Sequence, residues 1–193
     1  MIDRYRAIEK ILEYVKSDDL VLSATGMISR EVFMTDDQPR NFYMLGSMGL
    51  LSSFGLGLAL LQPERRIWVL EGDGSALMNL GALPLIATES SANLVHIILD
   101  NEAYESTGGQ PSISSKVDLA DIGKSCGYPH VLRADDIEGL GDALADCDAN
   151  LGPHLIMVKA GIAPVKEIPR VFHSPIEIRD RFKRSVQRES RVV

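Results

Sequence analysis

The chain has 193 residues, of which 45% are hydrophobic and 24% are charged. These values are typical of a globular domain with a sizeable core, and the net charge of −7 argues against a general nucleic-acid-binding protein. The two cysteines, Cys126 and Cys147, lie outside any Cys-x-x-Cys pattern and fit a reducing, cytoplasmic setting. Residues 1–16 are charged and amphipathic, which is not typical of a secretory signal.

The predicted elements alternate between helices and short apolar strands. Residues 2–16 have apolar side chains at helical spacing and predict an amphipathic helix. Strands are predicted at 20–23, 41–45, 67–70, 94–99, 128–132 and 154–158, with helices between them that include 118–126 and 136–147. This alternation predicts an α/β fold with three layers, in which helices cover both faces of a six-stranded, mostly parallel sheet.

The segment 42–61 has no charged residue and is long enough to span a bilayer. The run Gly-Ser-Met-Gly at 46–49 is a loop signal within it. We therefore expect a short buried strand, a loop and a buried helix here, and we expect no association with a membrane.

Polar residues follow two of the predicted strands directly. Residues 71–75 read Glu-Gly-Asp-Gly-Ser, and residues 100–104 read Asp-Asn-Glu-Ala-Tyr. In a βαβ unit both loops lie at the carboxyl ends of parallel strands, so Asp73 and Asn101 are expected side by side. A carboxylate, an amide oxygen and nearby carbonyls suit Mg²⁺ or Ca²⁺. A plain turn is the alternative interpretation of Gly-Asp-Gly taken alone.

The residues after this acid lead toward a helix. The N–H groups of Gly74 and Ser75, and the Ser75 hydroxyl, could hold a phosphate at a helix N-terminus. A metal together with a diphosphate is the simplest ligand that uses all of these groups.

The stretch resembles the thiamine diphosphate enzymes. Their signature is Gly-Asp-Gly after one strand and Asn-Asn at the end of the next. Gly72, Asp73 and Gly74 match the first element, whereas Asp100-Asn101 departs at its first position and keeps the second Asn. The resemblance implies the cofactors thiamine diphosphate and Mg²⁺.

The resemblance also implies roles for individual residues. The metal ligands would be the side chains of Asp73 and Asn101 and the carbonyl of Ala103. Tyr104 follows these ligands directly and belongs to the expected cofactor-binding set. Thr25, after the strand at 20–23, could meet the diphosphate, although a simple helix start explains it equally well.

The loop at 46–49 has two tasks in this family. The carbonyl of Gly46 would accept a hydrogen bond from the cofactor's 4′-amino group, and Met48 would support the bent arrangement of its two rings. Ser47 lies between them and is included in the expected cofactor-binding set. Packing of Met48 in the core is the alternative.

Residues 104–111 form an unusually polar, glycine-rich loop beside the expected metal. Its hydroxyl, amide and N–H groups could hold the anionic group of a substrate, and a flexible loop is the alternative. Many similar decarboxylases have a catalytic glutamate six places after the metal-binding Asn, where this chain has Thr107. Glu105 is nearby but out of register. Thr107 and Glu105 are thus the candidate catalytic residues.

Three longer runs, at 25–31, 42–49 and 105–111, are similar to the C-terminal domain of phosphonopyruvate decarboxylases and equally to the separate β subunit of sulfopyruvate decarboxylases. The resemblance covers the chain up to about Ile168. It implies a carboxy-lyase that converts sulfopyruvate to sulfoacetaldehyde and CO₂. The alternatives are phosphonopyruvate or another small anionic 2-oxo acid as substrate, or a non-catalytic cofactor-binding subunit.

In this family the glutamate that activates the cofactor's pyrimidine ring belongs to a second domain of similar size. A chain of 193 residues has room only for the diphosphate-side domain. We therefore expect a hetero-oligomer in which a pyrimidine-side α subunit supplies that glutamate.

We divide the chain into a diphosphate-binding domain, 1–170, and a basic helical tail, 171–193. Ser174 to Glu177 is typical of a capping box, and the basic helix after it predicts a solvated face or docking on a partner. The four histidines, at 96, 130, 154 and 173, share no metal-ligand spacing, and mid-strand His96 favours a satisfied core residue. No Ser-His-Asp order or G-x-S-x-G run supports a hydrolase.

Overall fold

The computed structural model describes residues 1–161 and 168–187 of the chain. In chain order the strands and helices are β1 (Ile2–Asp3), α1 (Arg4–Tyr14), β2 (Leu20–Ser23), α2 (Met27–Thr35), β3 (Asn41–Tyr43), α3 (Leu51–Leu61), β4 (Ile67–Gly72), α4 (Asp73–Met78), α5 (Ala82–Glu89), β5 (Leu94–Asp100), β6 (Ala103–Tyr104), β7 (Gln110–Pro111), α6 (Leu119–Cys126), β8 (His130–Ala134), α7 (Ile137–Ala149), β9 (His154–Gly161) and α8 (Pro175–Val186). Short 3₁₀ turns occupy Glu105–Thr107 and Ile113–Ser115.

Within these described ranges the main sheet has seven strands in the order β1-β9-β5-β4-β2-β3, and β8 pairs with β9. Every pair in it is parallel. Helix α1 packs on α2 and α7, and these three helices contact the sheet, whereas α5 packs on α3 and α6, which contact the sheet elsewhere. The predicted α/β fold with a mostly parallel sheet is confirmed, and the sheet has one strand more than the six predicted.

The additional strand corrects the predicted first helix at 2–16. Ile2 pairs with Ala160 of β9, so the chain begins as a short strand. The Asp3 carboxylate then accepts a hydrogen bond from the N–H of Tyr5 at 2.9 Å. This N-cap starts α1 at Arg4, because it satisfies a donor that has no partner within the helix.

The strands β4 and β5 form the centre of the core. All seven residues of β5 are buried, and so are the first five of β4. Such continuous burial is expected when helices cover both faces of a parallel sheet. The carboxyl ends of these two strands therefore have a rigid base, and the loops that follow them are held at one edge.

The predicted strand at 128–132 was wrong by two residues. The N–H of Tyr128 donates to the carbonyl of Gly123 at 3.2 Å, so Tyr128 still closes the end of α6. Gly127 before it has φ +97°, the left-handed conformation that commonly ends a helix. The strand consequently begins at His130 and ends at Ala134.

The apolar segment at 42–61 divides as predicted into the end of β3, a loop and helix α3. Gly49 in the loop has φ +90°, and a Cβ there would lie 3.0 Å from the Cβ of Met78, so glycine is required. Across the two described ranges, we find no helix with the length and apolar character needed to cross a bilayer.

The predicted capping box at the start of α8 is confirmed. The Ser174 N–H donates to the Glu177 carboxylate at 2.7 Å, and the Glu177 N–H donates back to Ser174 Oγ at 3.3 Å. The ring of Phe182 packs 5.2 Å from Phe42 and 6.4 Å from Phe54, measured between centroids. The apolar side of α8 is thus covered by its own chain. The predicted tail's last residues, 188–193, lie outside the described residues.

Candidate functional site

A pocket opens at the carboxyl edge of the sheet. Loops and helix starts that follow β2, β4 and β5 form most of its wall, as expected for ligand sites in open parallel sheets. Its lining includes Thr25, Met48, Gly72, Asp73, Gly74, Ser75, Asn101, Ala103, Tyr104, Glu105 and Thr107. Two expected cofactor-binding residues, Gly46 and Ser47, are exposed in the neighbouring loop and do not line the pocket.

Asp73 lies at the first position of α4, directly after β4, and only 1% of it is exposed. Its carboxylate accepts hydrogen bonds from the hydroxyls of Ser112 and Ser114, the second at 3.2 Å. Burial raises the pKa of Asp73, and the nearby Asp100 carboxylate raises it further, while the two serine hydroxyls oppose the shift. Among the described residues no Lys, Arg or His pairs with Asp73.

The neighbouring Asp100 has the cation that Asp73 lacks. Lys159 donates to one Asp100 oxygen and, at 2.8 Å, to Glu102. Ser114 Oγ lies 2.6 Å from the other Asp100 oxygen, so this hydroxyl bridges the two acids. A hydroxyl has one proton, so it satisfies only one carboxylate at a time. A divalent cation beside Asp73 would compensate the remaining buried charge, and the donor set therefore fits Mg²⁺.

The other two predicted metal ligands lie on the same wall. Asn101 Oδ1 accepts the N–H of Ala103 at 3.1 Å, and Asn101 Nδ2 donates to Glu105 at 3.3 Å. Between them Glu102 has φ +57°, which turns the chain sharply after β5. An amide oxygen has two lone pairs, so Asn101 Oδ1 retains one for a metal.

Gly74 lies under two side chains of the pocket wall. A Cβ at this position would be 2.4 Å from Cε1 of Tyr104 and 3.2 Å from Cε of Met48. Only glycine permits this close approach. Met48 is 39% exposed and lines the pocket, which differs from the core packing considered as its alternative.

The Ser75 hydroxyl is already engaged within the chain, which corrects its expected availability to phosphate. It donates to Glu71 Oε2 at 2.6 Å and accepts the N–H of Gly49 at 3.1 Å. Ser75 thereby fixes the loop at 46–49 to the buried end of β4. The group that Ser75 offers to a phosphate is its backbone N–H at the start of α4.

The other Glu71 oxygen faces His96. The distance from His96 Nε2 to Glu71 Oε1 is 2.6 Å, and Nδ1 lies 3.2 Å from the Tyr128 hydroxyl. All three side chains are buried. The prediction that His96 is a satisfied core residue is confirmed.

An ion-paired arginine that the sequence analysis missed holds Glu105 at the pocket. Arg4 donates from Nε and Nη2 to the two oxygens of buried Glu31, each at 2.7 Å, and from Nη1 to Glu105. Burial alone would lower the pKa of Arg4, but the hydrogen bonds to both carboxylates raise it above its ordinary value. The sequence spacing could have indicated that Arg4 is buried, because Arg4 lies on the same face of α1 as Ile8 and Ile11.

The loop at 104–111 folds into a small hairpin in which Tyr104 pairs with Gln110. Thr107 Oγ1 lies 3.0 Å from Gln110 Oε1, and Gln110 Nε2 donates to the Thr107 carbonyl at 3.0 Å. Gly108 and Gly109 between them both have positive φ. The hydroxyl of Thr107 is exposed at the mouth of the pocket.

Sequence reasoning also missed Ser112 and Ser114, which follow the predicted polar loop by one and three residues. The sequence gives little indication that these two serines belong to the site, since isolated serines are common in loops. The structure brings them to Asp73 because β7 turns the chain back toward α4.

Comparisons with known proteins place the chain in a family. Residues 24–158 match the family described as thiamine pyrophosphate enzyme, C-terminal TPP binding domain. A phosphonopyruvate decarboxylase from Streptomyces viridochromogenes is 40% identical over 180 residues, covering 93% of this chain and 45% of that protein. A sulfopyruvate decarboxylase subunit beta from Methanothermobacter thermautotrophicus is 44% identical over 187 residues, covering 97% of each.

The fold comparison extends beyond these sequences. A thiamine diphosphate-dependent 4-hydroxybenzoylformate decarboxylase from Rhodococcus jostii superimposes with a TM-score of 0.71 at 21% identity, covering 83% of this chain and 33% of that one. The chain spans about half, 45%, of the phosphonopyruvate decarboxylases that it matches. The family match over residues 24–158 includes every predicted metal ligand. The chain therefore belongs to the thiamine pyrophosphate enzymes and contains their C-terminal TPP binding domain.

Proposed function

We propose that the chain is the diphosphate-binding β subunit of a decarboxylase that uses thiamine diphosphate and Mg²⁺ to convert sulfopyruvate to sulfoacetaldehyde and CO₂. The observation that supports it most is the pocket wall, where buried Asp73 has hydroxyl partners but no cationic one among the described residues. The relative named sulfopyruvate decarboxylase subunit beta, 44% identical along 97% of both chains, supports the choice of substrate.

Three residues would hold the metal. These are Asp73 through its carboxylate, Asn101 through its amide oxygen and Ala103 through its carbonyl, all on the pocket wall. The N–H groups of Gly74 and Ser75 at the start of α4 would meet the diphosphate, because a helix N-terminus favours anions. Thr25, which lies two residues after the end of β2, would also contact the diphosphate.

Bound thiamine diphosphate supplies an electron sink for the decarboxylation of a 2-oxo acid. The chain's own residues bind and orient. Met48 would support the cofactor rings from the wall that it shares with Tyr104, and the Gly46 carbonyl would face the cofactor's amino group. Gly46 and Ser47 lie in the loop that Ser75 anchors through Gly49.

Glu105 and Thr107 are this chain's candidates for contact with the substrate, since both line the pocket near its mouth. Arg4 offsets only part of the charge of Glu105, because its one positive charge is shared with the carboxylate of Glu31. Gln110 Nε2 keeps one N–H for a sulfonate, whereas the Thr107 hydroxyl would first have to leave Gln110 Oε1, to which it now donates.

A second substrate has specific support. The phosphonopyruvate decarboxylase from Streptomyces viridochromogenes is 40% identical along 93% of this chain, close to the value for the sulfopyruvate relative. Phosphonopyruvate differs from sulfopyruvate in the charge and shape of one anionic group. The same metal and diphosphate wall would serve either reaction, so the loop at 104–111 or the partner would decide between them.

The partner is part of the proposal. A pyrimidine-side α subunit would supply the glutamate that activates the cofactor, and the assembly would be a hetero-oligomer. The relative's designation as subunit beta supports this organisation.

The test is reconstitution of the purified chain with its pyrimidine-side partner, thiamine diphosphate and Mg²⁺. Carbon dioxide release is measured with sulfopyruvate, phosphonopyruvate and pyruvate. We expect the highest kcat/KM with sulfopyruvate and negligible turnover by either chain alone. Full activity of this chain without a partner would contradict the subunit assignment, and preference for phosphonopyruvate would contradict the substrate.

A further inference from the structure

A second group of metal-ligating side chains lies at the amino edge of the sheet, opposite the pocket. His130 and His154 are the first residues of β8 and β9, and they are directly paired in the parallel register. Their rings stack with centroids 4.7 Å apart and an angle of 27° between planes. Asp146, from the last turns of α7, approaches both rings.

The potential metal-ligand atoms of these three side chains lie close together. Asp146 Oδ2 lies 3.7 Å from His130 Nδ1 and 3.7 Å from His154 Nε2, and all three ligand atoms lie within 4.8 Å of one another. These distances are too long for hydrogen bonds. Around a tetrahedral zinc ion with bonds of roughly 2.0 to 2.1 Å, neighbouring ligand atoms are about 3.3 to 3.4 Å apart. The two pairs with Asp146 would each contract by a few tenths of an ångström around such an ion, and the His130–His154 pair, which lies within 4.8 Å, would contract by up to about 1.4 Å.

His154 is buried without a hydrogen bond. Only 1% of the residue is exposed, and neither ring nitrogen has a partner among the described residues. Asp146 Oδ2 is also inaccessible and without a partner there. Buried polar atoms in native proteins are nearly always satisfied, because leaving one unpaired costs roughly 1 to 3 kcal/mol. Two such atoms that face each other point to a missing ligand between them.

The charges around these three side chains and their position near the surface suit the binding of a cation. Burial, together with the neighbouring His130, lowers the pKa of His154 to about 4, so its imidazole is neutral at pH 7. The nearest arginine, Arg66, is paired with Asp148 and with the carbonyl of Cys147 rather than with Asp146. The side chains of His130 and Asp146 are 31% and 33% exposed, so the cluster lies next to the protein surface although Asp146 Oδ2 itself is covered.

We propose that His130, Asp146 and His154 bind a divalent transition-metal ion, for which Zn²⁺ is the best match. Two imidazoles and one carboxylate suit zinc, whereas Mg²⁺ and Ca²⁺ prefer oxygen ligands alone. A water molecule completes four-coordination. The ion joins the end of α7 to the starts of β8 and β9, which stabilises the edge of the sheet farthest from the cofactor. The competing explanation is a metal-free contact between His130 and Asp146.

The experiment titrates ZnCl₂ into the EDTA-treated full chain by calorimetry and follows Tm in parallel. We expect one zinc ion per chain and a higher Tm. His130→Asn and Asp146→Asn should each remove both effects, and circular dichroism should show that they fold, since both side chains are partly exposed. His173→Asn is the matched control, because His173 forms another His–carboxylate pair, with Asp37 at 2.8 Å, and should keep zinc uptake.

A fourth variant shows which edge of the sheet binds the zinc ion. Asp73→Asn alters the proposed magnesium site and should leave the zinc uptake unchanged. The absence of saturable zinc binding, or uptake that persists in both His130→Asn and Asp146→Asn, would overturn the proposal. Zinc uptake lost only in Asp73→Asn would also overturn it, because the ion would then occupy the carboxyl edge.

Discussion

At the carboxyl edge of the sheet, most of the pocket side chains come from short runs that directly follow β2, β4 and β5. At the amino edge, His130, Asp146 and His154 come one each from two strands and the helix between them, and none belongs to a short polar run. Parallel topology alone brings the first set together, whereas the second depends on the register between β8 and β9 and on the rotation of α7. Contiguous loop motifs are therefore visible in a sequence, and clusters set by register are not.

The two edges also differ in how they satisfy buried groups. Asp73 has two serine hydroxyls as neighbours, so the carboxyl edge holds together before any ligand binds. Both ring nitrogens of His154 lack partners among residues 1–161 and 168–187. An ion at the carboxyl edge should therefore chiefly support cofactor binding, and an ion at the amino edge should chiefly raise stability.

Arg4→Met should have the largest effect. It leaves the buried carboxylate of Glu31 without its bidentate partner, and breaking a buried ion pair costs about 3 to 5 kcal/mol. Urea denaturation should show this loss in the free energy of unfolding. Arg6→Met on the same helix is the control, because the Arg6–Glu9 pair is exposed and should change stability by less than about 1 kcal/mol. Equal losses in the two variants would contradict the buried role of Arg4.

Asp73→Asn should weaken magnesium-dependent binding of thiamine diphosphate about 100-fold, or roughly 2.8 kcal/mol, because the amide provides no charge for the metal. Calorimetry on the complex with the partner measures this affinity, and circular dichroism should show an unchanged fold. Asp121→Asn is the control, since that carboxylate is exposed and pairs with Arg133 at 2.7 Å. Unchanged cofactor affinity in Asp73→Asn would refute the metal assignment.

Gly74→Ala should destabilise the fold by about 1 to 3 kcal/mol, because the new methyl group collides with Tyr104 and Met48. Cofactor affinity should fall with it, whereas zinc uptake at the amino edge should not. Gly57→Ala in α3 is the contrasting control. A Cβ there meets no atom within 4 Å, so the helix should gain roughly 0.5 to 1 kcal/mol. Thermal unfolding distinguishes the opposite signs, and a stabilising Gly74→Ala would be evidence against the close contact.

Thr107→Val should have the smallest effect. The side chain is exposed in the hairpin, so stability should change by no more than about 0.5 kcal/mol. If the loop contacts the sulfonate, KM for sulfopyruvate should rise several-fold while kcat remains nearly constant. Steady-state kinetics on the reconstituted pair measures both constants. An unchanged KM would assign that contact to the partner.

Much of the fold could be predicted from the spacing of apolar residues and from the glycine-rich loop sequences between the elements. The strands around β4 and β5 are continuous apolar runs, and Gly-Asp-Gly directly after β4 indicated the site. The misplaced start of β8 shows the limit, since Tyr128 has strong strand propensity but its N–H is used to end α6. No local pattern distinguishes an apolar side chain in a strand from one at a helix terminus.

The missed site residues have a similar explanation. Ser112 and Ser114 reach Asp73 only because the hairpin of β6 and β7 reverses the chain, and the pairing of Tyr104 with Gln110 sets their distance. Arg4 depends on the meeting of α1 with α2, which brings it to Glu31. These contacts are tertiary, so they require the packing of whole elements to be known.

The most direct test is calorimetric titration of thiamine diphosphate into the assembled complex, with and without Mg²⁺. We expect saturable binding only when Mg²⁺ is present, and we expect Asp73→Asn to lose both the affinity and its dependence on Mg²⁺. Binding of equal strength after magnesium removal, or no binding in its presence, would contradict a diphosphate held through a metal at the carboxyl edge of the sheet.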